Sequence, residues 1–284
     1  MTVAVEERGK STREEASSTV PQHDAADRGP VVLEARGLEL SFGAVRALHA
    51  VDLEVRGTSI QSVIGPNGAG KSSLLNCLSG FYRPQAGAVI YGGRNIIRWS
   101  PHARAKAGLA RTFQGIQTYP SMTVRENILA GLHVHMRTGL LDALAYWPRT
   151  RAEEQRFKGE AEEIIEFLEL EELRHEPVGS LSYGMRKRVD LGRALALRPK
   201  VLIMDEPMAG MSVDEKGDLA RFILDIRDAR KIPVVLVEHD MEVVMDISDA
   251  VTVMDWGRVI ASGPPQQVRG DPKVIAAYLG QAKR

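Results

Sequence analysis

One stretch constrains this chain more than any other: Gly65-Pro66-Asn67-Gly68-Ala69-Gly70-Lys71-Ser72. It has the form G-x-x-x-x-G-K-S. It stands between an apolar run, Ile60–Ile64, and a helix-like run from Lys71 to about Ser79. Its glycines let the backbone wrap closely, so that N–H groups point at phosphate oxygens. The helix that follows adds its positive dipole end. Lys71 supplies a point charge for β- and γ-phosphates, and the Ser72 hydroxyl is placed for Mg²⁺. Alone, the motif says only that a nucleotide phosphate binds.

The pattern around the loop is α/β. Val31–Ala35, Leu38–Phe42 and Val51–Val55 read as strands, with further strand-like pieces at Ala88–Tyr91 and near Leu109–Phe113. From about Thr123 to Leu197 the chain reads as mainly helical. Within Arg151–Leu170, Phe157, Ala161, Ile164, Ile165 and Leu168 recur at helical spacing and predict one buried stripe. After Pro199 strand and helix alternate again. Val201–Met204 and Val234–Val237 have the continuous apolar character of buried parallel strands. Ser212-Val213-Asp214-Glu215 is a capping box that opens a helix with Leu219, Phe222, Ile223 and Ile226 inward. The layout is an α/β core interrupted by an inserted helical subdomain.

Two strand ends carry polar groups toward the same edge. Val201–Met204 runs into Asp205-Glu206, and α/β sheets bind ligands at such C-terminal strand edges. Asp205 suits a Mg²⁺ shell through water, and Glu206 can orient and deprotonate an attacking water. Val234–Val237 runs into Glu238-His239-Asp240, which makes His239 a candidate γ-phosphate sensor. Ser182 reads as an N-cap, and Gly184 allows close backbone approach at that helix start, a second anion-binding end.

Composition narrows the class. Lys+Arg and Asp+Glu are both 37, so the formal net charge of this 284-residue chain is zero and no nucleic-acid partner is expected. No run approaches the about 18 apolar residues that span a bilayer. The opening MTVAVEERGK has no long apolar region and does not read as a secretory signal. The single cysteine, Cys77, excludes an internal disulfide and fits a reducing compartment. Residues 1–30 are rich in Glu, Asp, Ser and Arg with few large apolar side chains. They read as a disordered tail before a domain over 31–284.

Leu181-Ser182-Tyr183-Gly184-Met185 resembles the LSGGQ signature of ATP-binding-cassette (ABC) ATPases. With it, residues about 32–280 fall into that family's motif order. The resemblance implies a P-loop NTPase core with an N-terminal antiparallel β-subdomain and an α-helical subdomain inserted at about 115–198. It implies ATP bound by Phe42, by Gly65, Pro66, Asn67, Gly68, Ala69, Gly70, Lys71, Ser72 and Ser73, and by Gln114. Ser182 and Gly184 would reach the ATP of a facing subunit. Mg²⁺ would be held through Ser72, Gln114 and Asp205, and catalysis would fall to Glu206 and His239. Ala209-Gly210-Met211-Ser212 matches the D-loop of that family. The partners implied are a second ABC ATPase subunit, the same or a sister chain, and transmembrane permease subunits. An extracytoplasmic substrate-binding protein would act indirectly. The location implied is the cytoplasmic face of the cell membrane.

Two signature residues and the end of the D-loop depart from the pattern. Tyr183 replaces a signature glycine, Met185 replaces its glutamine, and Met211-Ser212 stands where the D-loop usually ends in Leu-Asp or Leu-Asn. Within the family, Asn76-Cys77-Leu78, Gly80-Phe81-Tyr82 and Gly108–Gln114 resemble the branched-chain amino acid importer group. So do Glu238–Met241 with Val244-Met245 and the ending from Asp271-Pro272 to Gly280. The stretch Arg137–Lys158, with Leu140, Leu141, Leu144, Tyr146 and Trp147, resembles that group's insertion. The importer reading stands beside the same role for another cargo, urea or short amides or lipopolysaccharide. It also stands beside a non-transport ABC ATPase and a plain P-loop kinase or GTPase. The last lacks a signature segment, and the non-transport class needs a long coiled-coil insert or two cassettes.

Overall fold

The computed structural model describes residues 29–135 and 148–279. Most of the tail, and Leu140, Leu141, Leu144, Tyr146 and Trp147 of the insertion, lie outside the described residues.

The described chain opens with an antiparallel hairpin, β1 (Val31–Phe42) and β2 (Val45–Arg56). The sequence pattern divides β1 in two. The structure joins the pieces through a register shift between Ala35 and Leu38. There Gly37 takes φ +53°, and its N–H donates to Asp52 Oδ1 at 2.7 Å. A bulge of this kind breaks the alternation without ending the strand. Next come β3 (Ile60–Ile64), α1 (Lys71–Ser79), β4 (Ala86–Tyr91) and β5 (Arg94–Asn95). β4 returns to β1, giving an antiparallel sheet of order β2-β1-β4-β5.

After α2 (Pro101–Lys106) and β6 (Leu109–Arg111), two residues shorter than the pattern suggests, the helices take over. These are α3 (Val124–Leu132), α4 (Pro148–Phe167) and α5 (Tyr183–Ala196). Phe157, Ala161, Ile164, Ile165 and Leu168 are all buried, as their spacing predicts. The chain then alternates through β7 (Val201–Asp205), α6 (Val213–Asp228), β8 (Val234–Val237) and α7 (Met241–Ile247). It closes with β9 (Ala250–Asp255), β10 (Arg258–Gly263), α8 (Pro265–Arg269) and α9 (Pro272–Leu279).

The second sheet has the order β10-β9-β3-β8-β7-β6, parallel throughout except for β10. Every residue of β3, β7 and β8 is buried, because elements cover both faces. One core packs the sheet against α3–α6, and a second packs it against α1 and the antiparallel sheet. Parallel pairing sets the C-terminal ends of β3, β6, β7, β8 and β9 on one edge. β8 lies between β3 and β7, so the loop after β3 and the acids at the end of β7 are separated by roughly 10 Å of sheet. Among the described residues no helix is long and apolar enough to cross a membrane.

Candidate functional site

The loop after β3 is shaped by close backbone approach. Gly65 has φ +150°, and a Cβ there would stand 2.1 Å from the Met254 carbonyl oxygen of β9. Gly70, the residue before α1, has φ +100°, and its Cβ would meet the Ala47 carbonyl oxygen at 2.6 Å. Only glycine fits either place. The turn after β9 braces the loop, since Gly257 N–H donates to the Ala69 carbonyl at 3.0 Å. No acidic residue stands in the first turn of α1, which leaves its N–H groups and dipole for an anion. Lys71 is buried, and its Nζ donates to the Gly65 carbonyl at 2.7 Å and the Pro66 carbonyl at 3.1 Å. Burial holds its pKa below the usual lysine value, against the charges of Glu206 and Asp205. Ser72 is exposed and Ser73 half-buried.

Across β8, the end of β7 presents the two acids. Asp205 Oδ2 accepts from Arg111 Nη2 at 2.8 Å, while Oδ1 is buried without a hydrogen-bond partner. Glu206 takes φ +48°, the left-handed region that a side chain rarely adopts. Both its oxygens are engaged. Gln114 Nε2 donates to Oε2 at 2.7 Å, and His239 Nε2 lies 2.6 Å from Oε1. Lys71, Gln114, the adjacent pair Asp205 and Glu206, and His239, picked from four separate stretches of sequence, thus form one group at the sheet edge.

Among the described residues no cluster of three or more His, Cys, Asp or Glu makes a metal cage. Mg²⁺ needs none, since it keeps several waters and binds through one or two carboxylates and substrate phosphates. The unpartnered Asp205 Oδ1 and the exposed Ser72 hydroxyl are a donor set of that kind.

Phe42 ends β1 half-exposed, and its ring meets Tyr82 edge-on with centroids 5.2 Å apart. The signature segment stands apart. Ser182 caps α5, its hydroxyl accepting the Met185 N–H at 3.3 Å. Gly184 packs on Glu215, where a Cβ would stand 2.2 Å from Oε1. Glu215 in turn accepts from the Ser212 N–H at 2.9 Å and hydroxyl at 3.1 Å, closing the capping box. These bonds, with a smaller contribution from the Gly184 backbone, hold its carboxyl below the usual range. Tyr183 turns toward Gly210, whose Cβ would lie 3.4 Å from the ring. Among the described residues no hydrogen bond joins Ser182 or Gly184 to the phosphate loop.

Several side chains at the site have no motif of their own. Glu238, buried beside His239, accepts the Met208 N–H at 2.7 Å and so fixes the turn after Glu206. Its carboxyl is pushed up by burial. Lys187 of α5 donates to the Gln114 carbonyl at 3.0 Å, tying the helical insert to the glutamine loop. Glu238 follows the apolar run Val234–Val237 and Lys187 lies in the basic run Arg186-Lys187-Arg188, and nothing local in the sequence marks either as buried.

The phosphate loop, the acid pair, the histidine and the signature lie on an α/β sheet with a helical insert, and the chain belongs to the ABC transporter ATP-binding family. The family model described as ABC transporter matches residues 48–209. The chain is therefore an ABC ATPase, an enzyme that binds and hydrolyses ATP. The curated proteins it resembles include several named for branched-chain amino acid transport. It is 39% identical over 88% of its length to the high-affinity branched-chain amino acid transport ATP-binding protein BraF of Pseudomonas aeruginosa, covering 98% of that protein. It is 36% identical to LivG of Escherichia coli K12, with the same coverage of both chains. A second model, described as branched-chain amino acid ATP-binding cassette transporter, matches residues 258–283. The solved structure of a nucleotide-free ATP-binding cassette from an ABC transporter superposes with TM-score 0.76 at 34% identity. It covers 88% of this chain and 99% of that one. A cassette in its ADP conformation superposes with TM-score 0.77 at 32% identity and the same coverage.

Proposed function

We propose that this chain is the ATP-hydrolysing subunit of an importer that takes up branched-chain or related amino acids through separate permease subunits. The observation that carries the cargo is the likeness to BraF and LivG over 88% of the chain. The match of the C-terminal segment 258–283 supports it. In this reading the chain sits on the cytoplasmic face of the membrane, and a substrate-binding protein delivers cargo on the other side. Two cassettes, copies or sister chains, close on two ATP molecules.

Each residue then has a task. Phe42 stacks on adenine. Gly65 to Ser73 cradle the phosphates, and the Lys71 amine moves from the Gly65 and Pro66 carbonyls to the β- and γ-phosphates. Ser72, Gln114 and Asp205 would hold a Mg²⁺ ion, which when bound would supply charge neutralisation at the phosphates. Glu206 orients a water and takes its proton as the water oxygen bonds to the γ-phosphorus. The bond from that phosphorus to the bridging oxygen breaks, and ADP leaves with the electron pair. His239 holds Glu206 in place. Ser182 and Gly184 of the facing subunit donate to the γ-phosphate and stabilise its charge.

The test is uptake of labelled leucine, isoleucine and valine by cells that lack this chain. Restoration by the wild type and not by Glu206→Gln is the expected result. Undisturbed uptake of all three would overturn the cargo, and loss of urea uptake instead would replace it.

A further inference from the structure

Asp205 is held by a buried cation to which the scheme above gives no task. Arg111 ends β6; both terminal nitrogens of its guanidinium are bonded, while Nε is buried without a hydrogen-bond partner. Nη2 donates to Asp205 Oδ2 at 2.8 Å. Nη1 donates to Asn76 Oδ1 at 2.7 Å and to Ser79 Oγ at 2.8 Å, both on α1. Its central carbon lies 5.0 Å from the centre of the Phe113 ring and 5.8 Å from that of Phe81. The Arg111 and Asp205 side chains are each 7% exposed.

The two oxygens of Asp205 therefore differ. Oδ2 is taken by a rigid guanidinium, and Oδ1 is buried with no partner. A buried ion pair is weak support for stability, because desolvating both charges offsets most of their attraction. What such a pair does supply is direction. The planar guanidinium is itself fixed by Asn76 and Ser79, so the carboxylate cannot swing and its free oxygen stays in one place. The same guanidinium lies against Phe113, the residue before Gln114.

We propose that Arg111 is the positioning residue that presents Asp205 Oδ1 to a divalent cation and links that carboxylate to the glutamine loop. The inference rests on the reading of Ser72, Gln114 and Asp205 as a Mg²⁺ site. Arg111 touches neither the metal nor the nucleotide; it acts through Asp205.

The test is binding of a fluorescent ADP analogue, which avoids turnover, titrated with Mg²⁺ and repeated in EDTA. Wild type, Arg111→Lys and Arg111→Met are compared. In Arg111→Met the Mg²⁺ concentration for half-maximal enhancement of binding should rise about tenfold, the usual effect of losing a residue that orients a metal ligand. Arg111→Lys, which keeps the charge but not the fork, should rise less. Affinity in EDTA should be unchanged in both. An unshifted Mg²⁺ midpoint in Arg111→Met overturns the proposal. An equal loss of affinity with and without Mg²⁺ overturns it too, since that is the mark of a merely structural residue. If Arg111→Met does not fold, Arg111→Lys and Asn76→Ala carry the test, and unshifted midpoints in both overturn it. Absence of any Mg²⁺ effect in the wild type is a different failure, because it removes the metal site itself.

Discussion

Lys71 and Ser182 each stand at the start of a helix, and each is expected at an ATP phosphate, yet the two regions are built differently. α1 starts from a left-handed glycine with no acid in its first turn, and its lysine is buried against loop carbonyls. α5 starts from an extended serine whose hydroxyl is bonded to its own helix, and a carboxylate, Glu215, packs on Gly184 beside it. The first region holds its buried lysine against loop carbonyls and leaves its helix start ready for an anion. The second has met part of its hydrogen-bonding need within the chain, and any outside phosphate must share that helix start with Glu215. Nucleotide affinity should therefore belong to the first region, and closure between subunits to the second.

The largest expected effect lies at the acid beside the phosphate held by the first region. Glu206→Gln keeps the shape of the side chain and removes the base. ATP turnover should fall roughly 10²–10⁴-fold while nucleotide binding is retained. Steady-state hydrolysis set beside a binding titration checks this, and near-normal turnover would end the assignment of Glu206. Next is Lys71→Ala, which removes a charged donor worth ~1.5–3 kcal/mol and should weaken ATP binding roughly tenfold to a hundredfold. Unchanged affinity would mean that the loop amides alone hold the phosphates.

Ser182→Arg tests the second region. A long cation at an expected subunit interface should lower turnover about tenfold, a barrier rise of ~1.4 kcal/mol, and leave ATP binding to the single chain intact. Activity measured against protein concentration separates the cases. Normal turnover that persists per chain at high dilution would break the comparison, since the signature would then have no part in the reaction. The smallest effect is expected at Ser212→Ala. Loss of the capping serine should cost about 1 kcal/mol and lower the melting temperature by roughly 2–4 °C. A melt followed by circular dichroism reads it directly.

Much of the first region was legible in the sequence, because its chemistry lies in contiguous residues. Gly65–Ser72 announces its own backbone, and Asp205-Glu206 and His239 follow apolar runs that can only be buried strands. The capping box at Ser212 was legible for the same reason, as both partners lie within four residues. What could not be read was pairing at a distance. Arg111 and Asp205 are 94 positions apart, and nothing local distinguishes Arg111 from any other charged residue at the end of a strand. Phe42 and Tyr82 meet only because β4 returns to β1. Gly184 reads as a residue for phosphate approach, but within this chain the group that needs its missing side chain is Glu215.

That last contact, with the turn of Tyr183 toward Gly210, bears on how freely such cassettes can be recombined. The helical insert leaves the core after β6 and returns before β7, which invites exchange of residues 115–198 between relatives as a self-contained block. The block is not self-contained here. A donor insert with a residue larger than glycine at 184 would strike Glu215, and one with glycine at 183 would leave Gly210 without its aromatic neighbour. A chimera that respects this chain must carry residues 210–215 along with the insert, so the natural unit of exchange is two separated segments.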